Sequence, residues 1–440
     1  MSKPIRLELG RFDVRDVIFS DSTRYRDGTL HIDRAELQQH LSKDSPFKTI
    51  EIDIAKPGEE TRIVHALDVV EPRTKVSGPG CVFPGILGPP TQVGEGRTHR
   101  LAGVAVVGAA DPFLGEDHWF AREAIIDMSG PGADYTPFSR TFNIVLTFVP
   151  DTEASSRRTK DEKANYMVDA RTRDAQASID ATRVLSLRTA EYLARAVRDL
   201  EPDRIDTYEL SPVNQALPKI VYVHHNIGAA LYGSARHPQD HAMLLHPNEL
   251  MDGVLVIATR WVQAALRDCT YFHQNNSIVR DLYSRHGSEL NFLGVIFCSG
   301  MGMALEDKER DSDSVVKIAR MLGADGAVIA PLRPGHGGVT LMMVCEKCEK
   351  SGIKTAIGVS QLNTGREEPG LNYWVPEADA MVMPGDDEHL LQLPAMKKAI
   401  GGSRILNTDI EALGPIEVDL RKLYGATAPM GPSRLGGRLH

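Results

Sequence analysis

Across residues 1–150, apolar and polar positions alternate in short runs: IRLELG, DVRDVIFS, TIEIDIA, RIVHALDVV, LAGVAVVG and NIVLTFV. A period of two puts every second side chain on one face. Each run therefore predicts a half-buried strand, and the Gly and Pro between runs predict antiparallel turns. The segment 1–150 is expected to form a β-rich domain. Two patches inside it, GPGCVFPGILGPP (78–90) and DMSGPGADYTPFS (127–139), hold too much Gly and Pro for strand or helix and read as long shaped loops. The period then lengthens. Leu185, Leu187, Ala190, Leu193, Ala194 and Val197 recur at three- and four-residue spacing, which predicts a helical connector over 151–215.

Over 216–426, fully apolar strand-type runs alternate with helical stretches: KIVYVHH, GVLVIAT, NFLGVIFCSG, GAVIAPL, KTAIGVS and ADAMVMPG. Strands apolar on both faces need cover on both, so this half predicts a doubly wound, mostly parallel sheet, and the fold class is α/β. The Gly-, Pro- and Arg-rich tail 427–440 reads as a flexible arm.

Composition narrows the partners. The 440 residues are 42% hydrophobic and 25% charged, an ordinary globular balance. No apolar run approaches the ~20 residues of a membrane helix, so no membrane is expected. A net charge of −9 without a basic cluster argues against nucleic acid. MSKPIRLELG passes straight into a strand pattern, and Cys81, Cys269, Cys298, Cys345 and Cys348 read as reduced thiols, so a cytoplasmic protein is expected.

In an open parallel sheet, ligands bind beyond the carboxyl ends of the strands. Those ends supply His224 and His225, then Thr259 and Arg260, then Cys298, Ser299 and Gly300. The PLRPGHGG turn places His336 and Gly337 at a helix start. With His237, His241, His246 and His273 the chain is locally rich in histidine. His224 and His225 are thus candidate ligands for a divalent metal (zinc, manganese or iron), the alternative being hydrogen-bonded loop histidines. CEKC (345–348) falls inside a helical pattern and lacks a second pair, which favours a packing role. In LEDKERDSDS, Asp311 or Ser312 is expected to cap a helix.

Several segments in fixed order carry a resemblance: LELG, IDIAKPGE, DVVEPRTKVSGPG, VGEGRTHRLAG, IIDMSGPGADYTPFS, HPNELMDGVL, TYFHQNNSIVRDLYSRHGSELNFLGVI and LEDKER. Through them the chain resembles the component B proprotein of the glycine/sarcosine/betaine reductase family. The resemblance implies cleavage at an X–Cys bond just after the GVLVI-type strand. It implies a pyruvoyl group made from that cysteine, and attack on the substrate by a cysteine or selenocysteine of a second subunit. Here VLVIATRWVQAALRDCTY has Thr259 and Arg260 at the matching place, and Cys269 comes nine residues later. No self-generated pyruvoyl group is expected.

The leading expectation is a subunit of a hetero-oligomeric enzyme that breaks a C–N or related bond of a small amino-acid-like or amide substrate. Arg260 and Thr259, with His336 and Gly337, would hold the substrate anion. His273 and Glu249 would move protons, and Asp134 and Tyr135 would position the substrate. The alternatives are a metal-dependent C–N hydrolase or lyase using the histidine-rich loops, and a non-catalytic scaffold subunit.

Overall fold

The computed structural model describes residues 4–43, 45–110, 123–149, 170–226, 228–234, 242–257, 268–300, 302–332, 335–359, 373–382, 389–406, 408–428 and 430. In the first half, strands β1 (Arg6–Asp13), β2 (Arg73–Ser77), β3 (Gly96–Ala102) and β4 (Arg204–Glu209) form one sheet in the order β4-β1-β3-β2. A second four-stranded sheet joins Thr49–Ala55, Phe142–Val149, Val104–Ala110 and Ala66–Val70. Gly103, at φ 84°, connects the two sheets, since it takes the left-handed turn that ends β3 and starts Val104–Ala110. His65, at φ 56°, splits the RIVHALDVV run into Thr61–Ile63 and Ala66–Val70. The helix Ala170–Ala194 covers this half, with Leu185, Leu187, Ala190 and Leu193 in the same core as Leu101, Val104 and Val106.

The second half holds the expected doubly wound sheet. Strands β5 (Lys219–His225), β6 (Asn291–Cys298), β7 (Gly326–Leu332) and β8 (Lys354–Val359) are parallel, in the order β6-β5-β7-β8. Met243–Leu245 pairs antiparallel on the β6 edge and Met381–Val382 pairs parallel on the β8 edge. Alternate residues of β5 serve opposite cores. Val221 and Val223 pack with Leu341 and Val315 of the helices α3 (Leu305–Met321) and α4 (His336–Lys350), whereas Tyr222 packs with Leu250, Leu282, Leu7 and Leu9.

Four features depart from the sequence pattern. In the first half, where antiparallel strands were expected, β1 pairs parallel with β3 and Val104–Ala110 pairs parallel with Phe142–Val149, because alternation fixes the buried face and not the direction of the neighbour. The GVLVIAT run contributes Leu255–Ile257, which pairs antiparallel with Ala229–Leu231 and not with the parallel sheet. Its apolarity encodes burial but no particular partner, and β6 and β7 already occupy both sides of β5. The expected helical connector contains β4, which pairs with β1, and Lys398–Ile400 runs back to pair with Thr61–Ile63, so sheet pairing crosses the expected borders at 150 and 216. Helix α3 starts at Leu305 with Ala304 as its cap, which leaves Asp311 and Ser312 inside the helix and buried. Among the described residues, no helix is long and apolar enough to cross a membrane.

Candidate functional site

Strand β5 comes first in its sheet, β6 is laid on one side of it and β7 on the other. The winding of the chain therefore reverses across the sheet at β5, the position beyond whose carboxyl end open α/β sheets bind ligands. His224 and His225 stand at that end and point to opposite faces, as neighbours on a strand must. His225 Nδ1 lies 3.0 Å from Pro331 O. Helix α4 begins directly against its ring: a Cβ on Gly337 would fall 2.4 Å from His225 Nε2, so only glycine fits there. Gly335 caps α4 at φ 96°, and Lys308 of α3 donates to His336 O at 3.2 Å. The His336 side chain is exposed. Cys298, at the end of β6, has its thiol pushed up to about 12 by burial and by Asp311, and so stays protonated. The two cysteines of CEKC are buried in α4, with Cys345 Sγ 3.3 Å from Thr355 Oγ1.

On the other face, His224 meets His273 with ring centroids 5.4 Å apart. His273 lies on the short helix α1 (Thr270–Gln274), which leads into α2 (Ser277–Arg285). The Tyr222 hydroxyl donates to Ala330 O at 3.1 Å and lies 2.9 Å from His224 Nδ1. If the tyrosine's one proton goes to the carbonyl, His224 Nδ1–H donates to the hydroxyl oxygen and Nε2 keeps a lone pair. That nitrogen is buried and meets no hydrogen-bond partner among the described residues. Burial, then His273 and His225, hold His224 well below the usual histidine range, so it is neutral. A neutral imidazole with an open nitrogen can accept a proton or a hydrogen bond, the basic requirement for handling a leaving or attacking group.

Next to His273 on the same segment lies a group that the sequence reading missed. Asn275 Oδ1 accepts from Arg73 Nη2 at 3.2 Å and from Arg280 Nη2 at 2.5 Å. Glu71 accepts from Arg73 Nε at 2.7 Å and faces Arg100 Nη2 at 3.2 Å. Burial alone would raise the Glu71 carboxyl, but Arg100, Arg73 and Arg280 hold it below its ordinary value. Burial, together with Arg100, lowers Arg280 to about 10. Three guanidiniums thus surround one carboxylate.

The other expected site residues divide between these places and elsewhere. Thr259 and Arg260 lie outside the described residues. The ends of their segment are described: Ile257 N donates to Thr270 Oγ1 at 3.1 Å, while Thr270 N and Oγ1 bond Asp68 at 2.9 and 2.6 Å. Glu249 engages both oxygens, one with Tyr232 OH at 2.5 Å and one with His246 N at 2.8 Å, which makes it the reciprocal half of a capping box. Asp134 is exposed on a 3-10 turn, and Tyr135 packs half-buried against Leu393, Ile416 and Leu423. The structure thus joins His224 to His273 and His225 to Gly337, sets Glu249 in a capping box on a helix packed against that of His273, and places Tyr135 in another packing unit. Among the described residues, no group of three or more His, Cys, Asp or Glu side chains could hold a metal ion.

Comparison with known proteins spans the chain. The sequence profile of the family described as glycine/sarcosine/betaine reductase component B subunits matches residues 5–437. The chain is 34% identical to the glycine reductase complex component B subunits alpha and beta of Acetoanaerobium sticklandii, covering 99% of this chain and 100% of the relative. It is 33% identical to the same component of Peptoclostridium acidaminophilum, over 97% of this chain and 98% of the relative. The identity to the sarcosine reductase complex component B subunit alpha of that organism is 32%, over 99% and 100%. No solved structure matches.

Proposed function

The chain belongs to the glycine/sarcosine/betaine reductase component B family, and on that premise we propose that it is a subunit of a reductase complex that remains uncut and carries no pyruvoyl group of its own. The full-length match to component B relatives carries the first part of this reading. The second part rests on the thiols. Thr259 and Arg260 stand where the family's cysteine would be. Cys269 does not fit the role either: it is fully buried among Tyr271, Phe272 and Tyr424, and burial pushes its thiol well above the ordinary range.

The substrate proposed is a small nitrogen-containing acid. A thiolate or selenolate on a second subunit attacks the carbon bearing nitrogen. A C–S or C–Se bond forms, the C–N bond breaks, and the departing amine takes a proton. A second thiol then attacks that sulfur or selenium: an S–S or Se–S bond forms, the C–S or C–Se bond breaks and the carbon takes a proton, so the thiol pair is oxidised as C–N is reduced to C–H. The His224–His273 pair is the proposed proton carrier, His273 following in sequence the segment that matches the family's processing site. Intact mass tests the uncut chain: one species near 48.3 kDa is expected, and two fragments with a keto-blocked second terminus overturn it. Amino-acid-dependent oxidation of a dithiol by the reconstituted complex tests the reaction, and its absence with every thiol- or selenol-bearing partner refutes it.

A further inference from the structure

The cluster at Glu71 is the buried end of a longer array. In the β4-β1-β3-β2 sheet, Arg204 is the register partner of Arg11, Arg11 of Arg100, and Arg100 of Arg73. Register partners share a face, so four arginines form one row across four strands, and like charges placed directly opposite one another destabilise a sheet. Three of the four carry their own remedy two residues away on the same strand, where alternation returns to the same face. Arg204 pairs with Asp206, Arg11 with Asp13, and Arg73 with Glu71. The two-residue neighbours of Arg100 are Thr98 and Ala102, and Thr98 donates instead to Asp252. Arg100 shares Glu71, and its Nε and Nη1 meet no hydrogen-bond acceptor among the described residues. Asp206, the other carboxylate that Arg100 senses, is taken by Arg204 at 2.8 Å.

Burial is graded along the row. Side-chain exposure falls from 54% at Arg204 to 22% at Arg11, 4% at Arg100 and 1% at Arg73. Arg280, half-buried, closes the cluster from the facing helix α2. A cation left buried with unused donors is costly unless an anion completes it.

We propose that Arg100, with Arg73 and Arg280, forms a binding site for the carboxylate of a small molecule, entered along the arginine row. Guanidinium N–H groups match a carboxylate in charge and planar geometry, and one carboxylate would meet the two Arg100 nitrogens that no described residue takes. The site takes its ligand class from the function proposed above, and its Arg73 and Arg280 both donate to Asn275, two residues after His273 in the chain. Its test reads binding alone. Carboxylate binding without turnover refutes the reaction and leaves the site standing.

The experiment is calorimetric titration and thermal unfolding of the purified full chain with acetate and glycine, against acetamide and glycinamide at equal concentration. The carboxylates are expected to bind saturably and raise the melting temperature, and the amides to do neither. Arg100→Met is expected to weaken acetate and glycine at least about tenfold, without lowering the melting temperature of the ligand-free protein. Equal binding of the amides, undiminished carboxylate binding by Arg100→Met, or a ligand-free Arg100→Met that melts well below wild type would each overturn the site. Should that variant not fold, the same outcome counts against it, and Arg280→Met supplies an independent reading: at least about threefold weaker carboxylate binding is expected, and unchanged binding refutes it.

Discussion

Two buried arginine centres lie in the same half of the molecule and obey opposite rules. Arg62 faces Asp127 through two parallel bonds of 2.7 and 3.0 Å, both side chains wholly buried, and sends its remaining donors to Ala412 O, Gly414 O and Pro394 O at 2.9 Å each. Charge and hydrogen bonds both balance there. The Glu71 centre has three arginines against one carboxylate and leaves two Arg100 nitrogens unused. A closed centre of the first kind pins the DMSGPGADYTPFS loop to the C-terminal segment. The second, among the described residues, leaves donors of a buried arginine unmet, and the carboxylate proposed above would meet them.

The contrast can be broken by mutation. Arg62→Met should cost about 3–5 kcal/mol in denaturant unfolding, because it strands a buried carboxylate and three carbonyls. If it costs no more than Arg100→Met, the two centres are of one kind. A second, smaller effect concerns Asp68, which burial raises to about 6 despite its bonds to Thr270. Its folded value lies above its unfolded one, so the folded state holds the extra proton, and this group's contribution to stability grows as pH falls from about 6 toward 4. The full effect is about 3 kcal/mol, and Asp68→Asn should remove that slope from the stability–pH curve. A slope that persists in the variant assigns it to another acid. The smallest effect is the most diagnostic. Without ligand, Arg100→Met should lie within about 1 kcal/mol of wild type, since Glu71 keeps Arg73 as its partner and an apolar chain of similar length removes the cost of a buried cation with two unused donors along with a contact.

The strands and the parallel sheet were legible in the sequence, because alternation and apolar runs are local signals. Adjacent His224 and His225 could likewise be assigned to opposite faces from the strand period alone. What escaped was register. Arg11, Arg73, Arg100 and Arg204 are spread over nearly two hundred positions, and nothing near Arg100 announces that three other arginines stand beside it. A partial signal was present: Arg11–Asp13, Glu71–Arg73 and Arg204–Asp206 each pair opposite charges two apart on a strand, and THRLAG places Arg100 on a strand without such a partner. Glu249 failed for the opposite reason. A carboxylate three residues after His246 at a helix start is a capping signal, and it was read as chemistry. The GVLVIAT run was misplaced because hydrophobicity carries no address.

The hold that Asp68 and Thr270 keep on both ends of the 258–267 stretch has a practical corollary. With Ile257 and Thr270 fixed against each other, their separation stays the same whatever stretch joins them, and doubling such a span costs only about 0.6 kcal/mol of closure entropy. Exchange of residues 258–267 for another stretch, a cysteine-bearing one included, is therefore expected to leave the two anchors in place.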